Sequence, residues 1–354
     1  MSSIVIRSEA LTMPWSGIDP FLFCAHHVDN YPAATAQQGV ATDRLAGRTI
    51  GNDFSRKDGF SMYYGTGVPG FPAHPRRGFE AVTIVSSGLV DHSDSLGATA
   101  RYGDGDVQWL TAGKGVMHAE MFPLRDPNAP NPFHLFQIWL NLPARRKMVD
   151  PAFVMLWGPE IPVYRHENPA GAVAQVKVIA GAYAPREGNS TTINPLPAAP
   201  DSVASDPAAE LAIWQITLEP GATLTLPPAA WSGNRRALYF YAGSSLSIAG
   251  EVQPASSMIE LVALSPAALE NNGDDTVELI LMQAVPIDEP VVAQGPFVMN
   301  TAEEIEVAYR DYHKTRFGGW PWSEPGPVHA AGQQRFAKYP GSSDVSTPFD
   351  RQEA

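Results

Sequence analysis

Phe71-Pro-Ala-His74-Pro-Arg76-Arg77-Gly-Phe-Glu80 and Gly105-Asp-Val-Gln-Trp-Leu-Thr-Ala-Gly-Lys-Gly-Val-Met-His118-Ala-Glu120-Met are the two stretches on which the reading of this chain turns. Alternate residues of a strand point to the same face. His74 and Arg76 therefore share one face, and His118 and Glu120 share another. If the two strands pair with both faces inside a barrel, four polar side chains converge on one spot. Val116, Met117 and Met121 surround the second pair and predict partial burial, where polar groups need partners. A metal ion would serve, and so would the groups themselves.

The strand rhythm continues on both sides. Short apolar runs at 81–85, 107–110 and 134–142 end in Ser-Ser-Gly, Ala112-Gly-Lys-Gly115 and Pro143. After residue 205 the pattern recurs at 211–218, 222–226, 237–241, 246–248, 258–264 and 277–284. Two series of closely spaced strands predict an all-β chain of two sandwiches or barrels. The Pro-, Ala- and Ser-rich stretch from Asn194 reads as the linker between them. One helix is expected from residue 301, where Thr301 caps and Glu304 closes a capping box, with Ile305, Ala308, Tyr309 and Tyr312 on one stripe. Gly318-Gly319 and Pro321 end it.

Composition narrows the function. Lys plus Arg number 24 against 37 Asp plus Glu, a net charge of −13, so no basic field gathers nucleic-acid phosphates. With 44% hydrophobic and 17% charged residues the chain is not broadly disordered. Cys24 stands alone, which excludes an internal disulfide framework, a thiolate zinc site and an iron–sulfur cluster. The opening lacks the apolar core of a signal peptide, and no run approaches the roughly 18 apolar residues of a membrane span. A soluble cytoplasmic protein with no membrane or nucleic-acid partner is expected.

Taken together, His-Pro-x-Arg-Gly-Phe-Glu, Asp-Ser-Leu-Gly and Gly-Asp-Val-Gln-Trp-x-Thr-Ala-Gly-x-Gly-x-x-His-x-Glu resemble the pirin family of bicupins. Asp19-Pro-Phe-Leu, His134-x-x-Gln-x-Trp-x-Asn-Leu-Pro and Gly295-Pro-Phe-Val-Met-Asn-Thr extend the resemblance over most of the chain. A stretch around 41–66 and the tail after about 325 look like additions. The resemblance implies two cupin (double-stranded β-helix, jelly-roll) barrels packed face to face with a short C-terminal helix. The expected division is 1–195 for the N-terminal cupin with the metal site and 196–300 for a C-terminal cupin without ligands. The helix follows at 301–324 and a polar tail at 325–354. It also implies a non-haem, metal-dependent dioxygenase of the flavonol (quercetin) 2,3-dioxygenase type, with a small aromatic substrate.

Pirins hold their metal with three histidines and one glutamate. By position these are His74, Arg76, His118 and Glu120, so one ligand is replaced. A guanidinium has no free lone pair and stays charged. His74, His118 and Glu120 remain a two-His-one-carboxylate set of the kind non-haem iron uses. Yet a cation about 4 Å from a divalent metal costs roughly 8 kcal/mol at an effective dielectric of 20. Two arrangements follow. Either Arg76 turns away and one divalent transition metal binds, iron first among several candidates, with Glu120 as catalytic proton acceptor. Or Arg76 takes the place of the metal and pairs with Glu120, leaving a metal-free, non-catalytic binding or regulatory module with a protein partner.

His92, His134 and Gln137 are candidate neighbours of this pocket. Glu80 reads as structural, Cys24 as a buried inert thiol, and Trp109, Trp139 and Phe79 as core. His26, His27, His166, His313 and His329 fall outside ligand spacing and are expected to be ordinary surface or capping residues. Gly113-Lys114-Gly115 lacks the spacing and following helix of a phosphate loop.

Overall fold

The computed structural model describes residues 3–187 and 191–348, nearly all of it in strands and turns, with one α-helix. The chain forms two compact units. One comprises residues 1–24 with 160–288, the other residues 25–159 with 289–354. Residues 349–354 of the expected tail lie outside the described residues.

The unit of 1–24 and 160–288 has a large antiparallel sheet in which Ser257–Leu261, Arg235–Ala242, Val277–Ala284, Ala212–Leu218 and Val173–Ala180 follow one another. Val5–Ala10 and Val163–Glu167 form its edges. A smaller sheet is built on Thr223–Leu226, Ala267–Asn271, Leu246–Ile248 and Glu251–Gln253. Alternation along the strands sends Trp214, Ile216, Leu218, Leu238, Phe240, Leu279 and Leu281 into one apolar core. The stretch expected as a linker is ordered here, with short 3-10 turns at Val203–Ser205 and Pro207–Ala209. Each is capped by the residue before it, Ser202 and Asp206.

The other unit is a cupin barrel made from two sheets. In one, Ala152–Leu156, Val107–Thr111, Phe79–Ser87, Asn131–Asn141 and the strand Phe21–Tyr31 lie side by side. In the other, Phe336–Lys338, Thr99–Gly103, Leu89–Asp94, Val116–Met121 and Gly70–Arg76 do. Gly78 makes the turn from Gly70–Arg76 into Phe79–Ser87 with φ +85°, and a Cβ there would stand 2.0 Å from the Val298 carbonyl oxygen. Only glycine meets both demands.

The helix, Ala302–Thr315, starts at Thr301 with the capping box formed in both directions and buries Ile305 and Ala308. It packs with Phe297, Met299 and Phe317. Arg77 anchors it to the barrel, donating to Asp311 (2.9 Å) and to the Lys114 carbonyl (2.6 Å).

Residues 329–338 are fixed to the barrel wall. Phe336–Lys338 adds a strand to Thr99–Gly103. Buried Arg101 holds Asp91 through two 2.7 Å bonds and donates to the carbonyls of His329 and Ala330. The polar composition of this stretch supplies the hydrogen bonds of a strap.

Candidate metal centre

Strand register assembles the pocket. His74 lies directly opposite His118 across the 70–76 and 116–121 strands, and a register shift separates Phe71 from His74. On the other flank of 116–121, His92 lies opposite Glu120 and Asp94 opposite His118. From the second sheet, Gln137 and its cross-strand partner Thr83 reach the same space.

His74, His118 and Glu120 each bring one ligating atom into a group whose members all lie within 4.8 Å of one another. The His74 ring is oriented by its Nδ1–H, which donates to the Pro72 carbonyl at 2.9 Å. That fixes the tautomer and leaves Nε2 as a lone pair, buried and without a hydrogen-bond partner. Burial, reinforced by the nearby Arg76 charge, lowers the His74 pKa to about 3. His118 is pushed well below the ordinary histidine range, chiefly by burial. Both imidazoles are therefore neutral at physiological pH, the state a metal ligand requires. The 3.7 Å approach of His118 Nε2 to Glu120 is accordingly not an ion pair. A buried, unpartnered lone pair beside a second neutral imidazole and a carboxylate fits a divalent transition metal.

Arg76 points inward and is 8% exposed. Its Nε donates to His118 Nε2 at 3.2 Å, and a terminal nitrogen reaches the Gln137 carbonyl oxygen at 3.4 Å. The guanidinium carbon lies 4.4 Å from the Trp139 ring centroid, a cation–π contact. Burial pulls its pKa down to about 10, opposed by the Glu120 charge, so it remains a cation.

The direct Arg76–Glu120 pair of the second arrangement is not formed among the described residues, because Gln137 stands between them. Gln137 Nε2 donates to both Glu120 oxygens at 3.0 and 2.9 Å, and its Oε1 accepts from Trp139 Nε1 at 3.1 Å. Gln137 and Trp139 are two apart on one strand, so their shared face was legible. Arg76 across from them was not.

The remaining candidates separate. His92 is buried, with Nε2 on Asp94 at 3.3 Å and its ring 5.7 Å from that of His118. His134 does not line the pocket: its ring packs on Phe136 and its Nε2 meets His26 Nε2 at 2.8 Å. Three apart on one strand, His134 and Gln137 point to opposite faces, which puts His134 beside Phe136 rather than in the pocket.

His26, His27 and His329 are not ordinary surface or capping residues either, since all three are partly buried. His27 bonds Tyr63 at 2.8 Å, and His329 bonds Asp91 through its backbone and Thr99 through its ring. Residue identity and spacing carry no trace of these long-range partners. Glu80 accepts from Trp109 and Thr111, as its structural reading requires.

Comparison with known proteins agrees with this architecture. The pirin domain family matches residues 16–140, and the pirin C-terminal cupin domain family matches residues 213–318. A Pseudomonas aeruginosa protein provisionally named a quercetin 2,3-dioxygenase is 34% identical, over 70% of this chain and 79% of its own length. Human pirin is 31% identical over 73% of this chain and 81% of its own. A solved quercetin 2,3-dioxygenase from Acinetobacter baumannii superposes with a TM-score of 0.63 at 24% identity. It covers 89% of this chain and 98% of that one, a likeness of fold.

Proposed function

Because the chain belongs to the pirin family of bicupins, we propose that its 25–159 and 289–348 unit is a metal-dependent dioxygenase of the flavonol (quercetin) 2,3-dioxygenase type. The observation that carries this reading is the His74 lone pair: buried, fixed in tautomer, unpartnered and grouped with His118 and Glu120. His74, His118 and Glu120 are the ligands. When bound, a divalent transition metal, iron in the first instance, supplies Lewis acidity and holds a deprotonated hydroxyl group of the substrate.

The chain's own residues do the rest. Glu120 accepts the proton of the substrate hydroxyl at a carboxylate oxygen. Gln137 holds that carboxylate in place through its amide hydrogens, and Thr83 supports one oxygen from 3.4 Å. Arg76 must release His118 Nε2 for that atom to ligate. Its guanidinium keeps the Trp139 face and the Gln137 carbonyl as alternative partners. The working compartment under this reading is the cytoplasm, in keeping with a single cysteine that is buried.

A second reading is favoured by one observation: Arg76 Nε occupies the lone pair of His118 that a metal would need. Arg76 then substitutes for the metal, and the barrel is a non-catalytic binding module that acts on a protein partner. Elemental analysis of the purified protein, paired with oxygen uptake in the presence of quercetin, separates the two. Stoichiometric transition metal with oxygen consumption is the outcome expected of the dioxygenase. Protein that stays metal-free after iron or manganese loading and consumes no oxygen overturns it in favour of the second.

A further inference from the structure

We propose that the 41–66 stretch is a substrate-selecting wall, a platform of aromatic rings that binds a flat, ionisable polyphenol beside the His74 edge of the pocket. The proposal rests on the reading that this pocket is the functional centre. Of the three candidate ligands His74 alone keeps partial exposure, while His118 and Glu120 are buried. His74 is therefore the ligand nearest the surface, and the ring of Phe71 stands beside it, 6.2 Å away.

Around Phe71 the 41–66 stretch gathers three more rings. Tyr63 stacks on it at 5.1 Å, and Tyr64 and Phe54 meet it edge-on at 5.7 and 6.4 Å. Phe54 and Tyr64 also meet each other at 5.3 Å. Tyr63 is buried beneath, yet Phe54 and Tyr64 are 50% and 48% exposed. Two adjoining rings half open to water, over a buried aromatic base, form an apolar surface with stacking faces unused.

The platform is rigidly held. Tyr63 adopts φ +57°, the left-handed region that a bulky residue seldom occupies. Its backbone exchanges two 2.8 Å bonds with Asp53. Its hydroxyl donates to Asp29 at 2.7 Å and accepts from His27 Nδ1 at 2.8 Å. Strain of this kind persists only where surrounding contacts over-determine it. Arg56, exposed on the same stretch, donates to the Val28 carbonyl at 3.1 Å and places its charge near His27 and Tyr63, where Asp29 and Asp53 also stand. The open ring faces select a flat aromatic molecule, with Arg56 a cation available to its acidic hydroxyl.

The test is a quercetin titration of the full chain followed by the absorbance of quercetin itself, with metal removed by chelation so that binding is read apart from catalysis. The Phe54→Ala/Tyr64→Ala variant is expected to bind about tenfold more weakly than wild type. Tyr64→Phe, which restores the ring, should recover most of the loss. Trp231→Ala, a half-exposed aromatic in the other unit, should leave binding unchanged. An affinity within about twofold of wild type for the double variant overturns the proposal, as does equal weakening by Trp231→Ala or no binding by wild type. If quercetin binds in this Phe54- and Tyr64-dependent way to a protein that neither takes up metal nor consumes oxygen, the platform stands and the dioxygenase reading falls.

Discussion

Arg76 keeps its charge in a buried position without a carboxylate within ion-pair distance, which is costly unless other groups replace its hydration. Three do: the His118 lone pair, the Gln137 carbonyl and the face of Trp139. Two of these are neutral acceptors and one is a ring, so the arrangement depends on His118 remaining unprotonated and unligated. A metal competes for the same lone pair and repels the same charge. Arg76→His removes the repulsion and restores a third imidazole as fourth ligand, so metal should bind at least about tenfold more tightly. Competition with a chelator measures this directly. An unchanged affinity would mean that Arg76 already leaves the pocket when metal enters.

Among the elements, the strap formed by the C-terminal segment is held most visibly by the Asp91–Arg101 pair. Both partners are buried, and Asp91 also accepts from the His329 backbone at 2.8 Å. Replacing one partner leaves the other charge stranded, which costs about 3–5 kcal/mol in buried pairs. Arg101→Met should therefore lower thermal stability sharply and open residues 325–338 to limited proteolysis. Asp91→Asn in the same chain should recover part of the stability but not the anchoring. If cleavage in this segment is no faster than in wild type, the strand Phe336–Lys338 holds the segment without Arg101.

At the scale of the whole molecule, buried neutral histidines set the acid limit. Burial lowers His26 to about 3 and His27 to about 4, from 6.5 for an unfolded chain. Below pH 6.5 the unfolded state takes up protons that the folded state refuses, so stability falls as pH falls. Each imidazole contributes a slope of at most about 1.4 kcal/mol per pH unit down to its folded pKa. Asp29 opposes this, since burial raises it to about 6 and its protonation favours the folded state between that value and 3.8. Two imidazoles outweigh one carboxyl, and the urea midpoint should drop between pH 6.5 and 4.5. His26→Gln should flatten the slope; an unchanged slope would show that His26 accepts its proton without unfolding.

The all-β architecture, the helix from Thr301 and the polar set His74, Arg76, His118 and Glu120 were all legible in the linear sequence. Strand periodicity, capping chemistry and motif spacing are local properties, and a period of two assigns each residue a face before any partner is known. Which way Arg76 turns was not legible, because its fate depends on Gln137 and Trp139 arriving from another sheet, a matter of register between distant strands. The same holds for His26, His27 and His329, whose partners lie far away in sequence, whereas His134 lies on the face opposite Gln137, as alternation alone dictates. The 41–66 stretch had no periodicity to read, and its aromatic rings acquire a common surface only when Tyr63 is locked against Asp29, His27 and Asp53. Side-chain identity thus determined what chemistry was on offer, and long-range pairing alone decided which groups could meet.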